Sequence, residues 1–135
     1  MGPRAAVPEP APARHELPEI DAAALTTARA IDRLLAAADE LVGDGHRVGE
    51  PEPRSLDAAR HAAAAERWAG YFQRLPDQLR DDPFPQLRGI ARRARAAYGP
   101  KDSIRDVFAP DVTEPLLDAI DRLLKAIARY ELNRR

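Results

Sequence analysis

The sequence predicts an all-α fold: a compact bundle of four main helices behind a disordered, proline-rich N-terminal arm. Apolar residues recur every three or four positions in several long segments, which is typical of helices that cover a core with one face. No segment shows the period-two alternation and β-branched residues of a strand. A length of 135 residues suits one domain. We therefore divide the chain into an arm, residues 1–20, and a helical bundle domain, residues 21–135.

The arm is predicted from its prolines, at positions 3, 8, 10, 12 and 18. Proline has no N–H to donate and fixes φ, and the segment has few large apolar groups. We expect a solvated or polyproline-like segment there.

The first helix is predicted over residues 21–42. Asp21 is a suitable N-cap, and Gly43 is expected to end the helix. Residues 43–54 contain three glycines and two prolines, which predicts a polar loop.

The second helix is predicted over residues 56–75, capped by Ser55. Its first half is mostly alanine, so another helix can approach it closely. Its second half carries the apolar and aromatic side chains Trp68, Tyr71, Phe72 and Leu75. Pro76 is expected to end this helix or to begin a short turn through Leu79.

The third helix, over residues 85–98, is followed by Gly99 and Pro100, a usual C-terminal signature. Its predicted inner face comprises Leu87, Ile90, Ala91, Ala94 and Tyr98. A short helical turn is expected over residues 103–108. The last helix, residues 114–132 with Thr113 as its cap, has the strongest apolar stripe: Leu116, Ile120, Leu123, Ile127 and Tyr130.

The apolar composition indicates a thin core, because 27 of the residues counted as apolar are alanine. Two ways of stabilising such a bundle remain open. Helices can pack closely through alanine, or leftover apolar surface can be buried against another subunit or partner.

Several chemistries are missing from the sequence. There is no cysteine, none of the three histidines has a metal-ligand spacing, and no glycine-rich nucleotide motif is present. Ser55 and Ser103 are better explained as helix caps than as nucleophiles. We therefore predict no catalytic residues, no metal and no cofactor.

The sequence also lacks membrane and export signals. No apolar stretch approaches the length of a membrane span, and residues 1–20 contain no signal-peptide core. We expect a cytoplasmic protein with no membrane partner. The excess of arginine (19) over lysine (2) is typical of a GC-rich, bacterial genome.

Charge is arranged in blocks although the net charge is only −1. Residues 83–101 carry five basic and no acidic side chains, and residues 102–121 carry six acidic side chains and one arginine. Arg88, Arg92 and Arg95 share one side of the third helix, which we call the basic stripe. The stripe fits an acidic protein partner or nucleic acid phosphates, and it fits equally a contact with the acidic block of the same chain or plain solvation.

One segment resembles a family of small bacterial helical proteins, a domain of unknown function. The family has a Tyr-Gly-Gly-Met-Gly-Ser-aromatic-Asn-Asp-Leu run about 30 residues after a tryptophan. Here the corresponding run is residues 98–107, and Trp68 holds the tryptophan's place. Tyr98, Gly99, Ser103 and Asp106 match, whereas Pro100, Lys101, Asp102 and Arg105 depart from the pattern. The resemblance covers residues 58–108 and implies an all-helical domain without implying an activity.

These observations predict a non-enzymatic protein–protein interaction module of regulatory, adaptor or toxin-neutralising type. We expect a protein partner or self-association, through the basic stripe and the neighbouring loop that contains Ser103 and Asp106. The alternative is a nucleic-acid-binding regulator that uses the arginine-rich helix 85–98; the net charge of −1 and the lack of a reader motif count against it.

Overall fold

The computed structural model describes residues 11–47 and 53–134, with side chains for residues 11–43 and 56–134. It contains five α-helices: α1 (Pro18–Arg47), α2 (Pro53–Phe72), α3 (Leu75–Asp81), α4 (Phe84–Arg95) and α5 (Pro110–Asn133). Short 3-10 turns lie at Arg14–Glu16, Ala96–Tyr98 and Ile104–Asp106. The predicted all-α bundle of four main helices is confirmed, with α3 as a short fifth helix, and the described residues contain no strand.

Helix α1 is the centre of the bundle. Its 30 residues correspond to about 45 Å of helix, and it contacts α2, α3 and α5. Helix α4 packs against α5 and α3 and continues as the 3-10 turn to Tyr98. The Ile104–Asp106 turn lies between the Ala96–Tyr98 turn and α5, and it contacts both. In the described part of the chain, no helix is both long and apolar enough to cross a membrane.

The core includes the inner face predicted for the third helix and most of the stripe predicted for the last helix, together with residues such as Leu79 and Ile104 that lie in no predicted stripe. The largest side chains with under 2% exposure include Ile31, Leu34, Phe72, Leu75, Leu79, Leu87, Ile104, Leu116, Ile120, Leu123 and Ile127. Burying each one contributes about 1.5 to 3 kcal/mol relative to solvent exposure. Alanines are fully buried between helices as well, among them Ala28 and Ala65. Of the two ways of stabilising a thin core that the sequence left open, the structure therefore shows close helix packing through alanine.

The predicted boundary of the N-terminal arm, residue 20, is wrong, because the packed domain begins at Arg14. Leu17 and Ile20 are buried. The Arg14 guanidinium donates hydrogen bonds to the Asp21 carboxylate at 2.9 Å and to the Asp82 carbonyl oxygen at 3.0 Å. The second bond connects the segment before α1 to the C-terminal end of α3. Pro18 begins α1 at a position where a missing N–H is harmless. Residues 1–10 of the predicted arm lie outside the described residues.

The predicted loop over residues 43–54 is also too long. Helix α1 passes through Gly43 and ends at Arg47, and α2 already begins at Pro53. A glycine inside a helix costs about 1 kcal/mol but does not force an end. Residues 48–52 lie outside the described residues.

Three predicted N-caps are incorrect for the same reason. The helices begin at Pro18, Pro53 and Pro110, so Asp21, Ser55 and Thr113 lie within them. Helix α2 also ends at Phe72 rather than at residue 75, and Pro76 falls in the first turn of α3. In each case a proline occupies the first turn of a helix, where it is favourable.

Candidate functional site

A cleft with a volume of about 670 Å³ lies between α2 and the turn that follows α4. Its α2 wall comprises Asp57, Arg60, His61, Ala64, Arg67, Trp68 and Tyr71. Its second wall comprises Asp102, Ser103, Asp106 and Val107. We call this the Trp68 cleft. It brings together the tryptophan helix and the 98–107 segment, which the sequence analysis linked only through the family resemblance.

Aromatic rings at the end of α2 form the apolar part of the cleft. The centroids of the Trp68 and Tyr71 rings are 5.3 Å apart, and the two ring planes are nearly perpendicular. The Phe72 ring packs against both of them. Phe72 is fully buried, whereas Trp68 and Tyr71 are half-buried and face the cleft. Half-exposed tryptophan and tyrosine in a concave site are typical of binding surfaces.

Helix α4 holds this aromatic cluster in place. The Tyr71 hydroxyl donates a hydrogen bond to the backbone carbonyl oxygen of Arg93 at 2.6 Å, and the Arg93 guanidinium lies 5.4 Å from the Tyr71 ring centroid. Such a cation–π contact contributes about 0.5 to 1 kcal/mol at an exposed position. The wall of the cleft is therefore braced by the end of α4.

The second wall is anchored by Tyr98. Its buried hydroxyl donates a hydrogen bond to the backbone carbonyl oxygen of Thr113 in α5. The guanidinium groups of Arg95 and Arg105 lie 5.7 Å and 5.3 Å from the ring centroid. Burial raises the pKa of Tyr98 above its ordinary value of 10.0, and the nearby Glu114 carboxylate adds to the increase.

Arg105 also forms a two-point ion pair with Glu114. Its Nε and Nη2 atoms donate to the two carboxylate oxygens at 3.1 Å and 2.8 Å. The Thr113 hydroxyl donates to Glu114 Oε2 at 2.9 Å. The hydrogen bonds from Arg105 and Thr113 lower the pKa of Glu114, because they stabilise its ionised form. The turn is thus fixed to the start of α5.

Ser103 caps the 3-10 turn, as the sequence predicted, and Asp106 completes a capping box around it. The Ser103 hydroxyl accepts a hydrogen bond from the Arg105 N–H at 3.2 Å, and Asp106 Oδ2 accepts one from the Ser103 N–H at 3.1 Å. Ser103 is buried, whereas Asp106 is exposed. Both residues shape the cleft wall through these bonds.

Asp102, at the tip of the same wall, has a left-handed backbone with φ of 51°. This region favours glycine, and aspartate is among the few other residues that enter it readily. The left-handed turn places the exposed Asp102 on the rim of the cleft.

The two walls of the cleft differ in charge: the α2 wall carries two arginines and one aspartate, Asp57, whereas the turn wall carries two aspartates. Arg60 and Arg67 project from α2, and Asp102 and Asp106 project from the turn. All four side chains are exposed. Within the described residues, no ion pair joins one wall to the other. The cleft therefore presents a mainly cationic wall, which ends in the aromatic rings of Trp68 and Tyr71, and an anionic wall opposite it.

The predicted basic stripe on α4 is largely neutralised within the chain. Arg88 pairs with Glu131 of α5, and Arg95 lies 3.4 Å from the carboxylate of Asp121. Arg92 is exposed and forms no ion pair within the part of the chain that the structure describes. The structure therefore separates the five predicted binding residues. Ser103 and Asp106 line the cleft, Arg95 contacts the Tyr98 ring, and Arg88 and Arg92 lie on α4 outside the cleft lining.

The described residues contain no group of three or more His, Asp or Glu side chains that could hold a metal ion. His61 and Asp57 line the cleft without such a third ligand.

Sequence reasoning missed the α2 side of the site. The signal was present, because residues 57, 60, 61, 64, 67, 68 and 71 follow the spacing of one helix face. The face is mixed in polarity, so it does not register as an apolar stripe. Only its position opposite the 102–107 turn shows it to be part of a concave surface.

In comparisons with known proteins, no family model, no curated protein and no solved structure matches the chain.

Proposed function

We propose that this protein is a non-enzymatic, cytoplasmic interaction module that binds a protein through the Trp68 cleft. The observation that carries the proposal is the pair of aromatic rings, Trp68 and Tyr71, in a cleft whose charged side chains form no ion pair from one wall to the other within the described residues. Tryptophan, tyrosine and arginine are the residues most enriched where protein interfaces gain their binding energy.

The shape of the cleft favours a protein segment over a small molecule. Its α2 wall extends from Asp57 to Tyr71, a distance of about 21 Å along the helix. A small-molecule site normally encloses most of its ligand, whereas a long open cleft accommodates a helix or a loop.

Two of the groups in the cleft that could take part in chemistry, Ser103 and Asp106, already have structural roles. The Ser103 hydroxyl accepts the Arg105 N–H, and the Asp106 carboxylate accepts the Ser103 N–H. This engagement supports recognition rather than catalysis as the role of the site.

The nucleic-acid alternative gains less support from the structure. Phosphate binding by the basic stripe would compete with the Arg88–Glu131 and Arg95–Asp121 ion pairs. Of the three stripe residues, Arg92 is the one that has no ion pair to break within the described residues.

The test is a site-specific photocrosslink. A photoreactive amino acid replaces Ala64 in the cleft of the full chain, and a control chain carries it at Arg33 on the exposed face of α1. After irradiation in native lysate, we expect a discrete protein adduct from position 64 and none of the same mass from position 33.

Variants then locate the contact. Trp68→Ala and Arg67→Ala should each reduce the yield of the adduct, and Arg92→Ala should leave it unchanged. Arg67 is exposed and unpaired among the described residues, so its loss should not unfold the chain, which circular dichroism checks for every variant. Identical adducts from both positions would contradict the proposal. So would binding to random-sequence DNA at low salt that is lost on Arg92→Ala, because that result would favour the alternative.

A further inference from the structure

We propose that the occupant of the Trp68 cleft is a second copy of this chain, an inference that rests on the proposed function of the cleft. Two copies would form a two-fold symmetric dimer, in which the 102–107 turn of each copy inserts into the cleft of the other. Asp102 and Asp106 of one copy would then face Arg60 and Arg67 of the other copy.

Charge complementarity favours this occupant. In a two-fold interface the same patch meets itself, so every cation must find its anion on the same surface. The cleft carries both signs of charge, because its α2 wall has Arg60 and Arg67 together with Asp57, and its turn wall has Asp102 and Asp106. No ion pair within the described residues of one copy satisfies these charges across the cleft.

Elsewhere in the chain, oppositely charged side chains on neighbouring helices do form ion pairs. Arg80 of α3 pairs with Asp32 of α1, and Arg129 of α5 pairs with Glu19 of α1 at 3.2 Å. Arg60 and Arg67 on one wall of the cleft form no such pair with Asp102 or Asp106 on the other wall within the described residues. A turn from a second copy supplies the missing counter-charges to α2, and the exchange is reciprocal.

Helix α2 is also poorly covered by its own chain. Between residues 56 and 72, only Ala65 and Phe72 are buried. Leu56, next to Asp57 at the end of the cleft, is 67% exposed and is one of two exposed large apolar side chains among the described residues. Leu56 lies about 100° around the helix from its neighbour Asp57, so a second subunit on the cleft face would cover chiefly the half-buried Trp68.

The experiment measures the mass of the full-length chain in solution by sedimentation equilibrium. Wild type should change from monomer to dimer between about 1 μM and 1 mM. The double variant Arg60→Glu, Arg67→Glu should raise the dissociation constant at least about tenfold, because acidic walls then face acidic turns. Asp102→Lys should also weaken the dimer, with Asp102→Asn as the matched neutral control that keeps the preference for a left-handed backbone.

Mixing provides the decisive arm. When the double variant and Asp102→Lys are combined in equal amounts, the new acidic side chains of one copy face the new basic side chain of the other. The unchanged charges still match at the second half of the interface. We expect the dimer to return in the mixture, which a general loss of stability would not produce.

Two outcomes would overturn the inference: wild type that stays monomeric over the whole range, or a dimer that ignores both charge variants. The first outcome together with a Trp68-dependent photocrosslink to a different protein would leave the proposed function standing. A crosslink at position 64 to another copy of the chain, at twice the chain mass, would support both.

Discussion

Replacing Tyr98 by phenylalanine tests how the turn wall of the cleft is held. Tyr98 is 9% exposed, and its hydroxyl donates a hydrogen bond to the Thr113 carbonyl oxygen. A buried hydrogen bond of this kind contributes about 1 kcal/mol to the free energy of unfolding. At neutral pH, Tyr98→Phe should therefore lower that free energy by about 1 kcal/mol and the melting temperature by roughly 3 to 5 °C.

The same residue makes the effect depend on pH, with a sign that follows from its pKa. The unfolded chain loses the tyrosine proton near the ordinary value of 10.0, whereas burial keeps the folded protein protonated to higher pH. The contribution of Tyr98 is thus complete below pH 10.0 and is lost as pH rises toward the pKa of the folded state. Wild type loses up to about 1.4 kcal/mol per pH unit in that window, and Tyr98→Phe does not suffer this loss.

The assay is urea unfolding of both proteins, followed by circular dichroism at neutral pH and at about pH 11. The difference in unfolding free energy should shrink to near zero or reverse at the alkaline pH. A difference that stays constant between the two conditions would refute the assignment of Tyr98 as a buried, late-ionising donor.

Further predictions concern the turn, its anchor and the core. The pKa of Glu114, measured by NMR titration of its side chain, should lie below 4.5 and return toward that value in Arg105→Ala; an unchanged titration would show that Arg105 does not hold the carboxylate. Asp102→Val should lower the free energy of unfolding by about 1 to 2 kcal/mol, because a β-branched residue is strained at φ of 51°, while Asp102→Gly should be tolerated in the same urea assay. Phe72→Ala should cost about 3 to 5 kcal/mol by leaving a cavity, whereas Leu132→Ala, at a side chain 69% exposed, should change the stability by less than about 0.5 kcal/mol; equal costs would contradict the assigned core.

The periodicity of apolar residues was sufficient to predict the helical faces. The inner faces of α4 and α5 are buried as expected, from Leu87 on α4 to Ile127 on α5. Periodicity succeeds here because burial of a stripe is the dominant favourable term and depends only on spacing along the helix.

The helix starts were harder to predict, because a proline near the start of a helix is compatible with two interpretations. It cannot continue a helix, but it is well suited to the first turn. The prolines at 18, 53 and 110 each begin a helix, although aspartate, serine and threonine a few residues later are the better N-caps by type. A rule based on cap type alone therefore starts the helices too late.

The site could be predicted only in part, because it is built from two segments that lie far apart in the sequence. Ser103 was recognisable as a local cap, and the structure confirms this role and adds the hydrogen bond from its N–H to Asp106. Arg60 and Arg67 had no local signal, because their significance comes from facing the turn across the cleft. Such a relation depends on how α2 and the turn pack, which spacing along one helix does not specify.

The contrast between the basic stripe and the cleft shows how a fold selects among charged surfaces. Arg88 and Arg95 were the more conspicuous cations in the sequence, yet α5 brings an acid to each of them. Arg67 stands within a mixed helix face and finds no acid among the described residues. Because an ion pair formed within the chain must be broken before the same arginine can bind a partner, unpaired charges beside an exposed aromatic ring are the better guide to recognition. For this protein, that criterion moves the proposed binding surface from the outer side of α4 to the cleft beside α2.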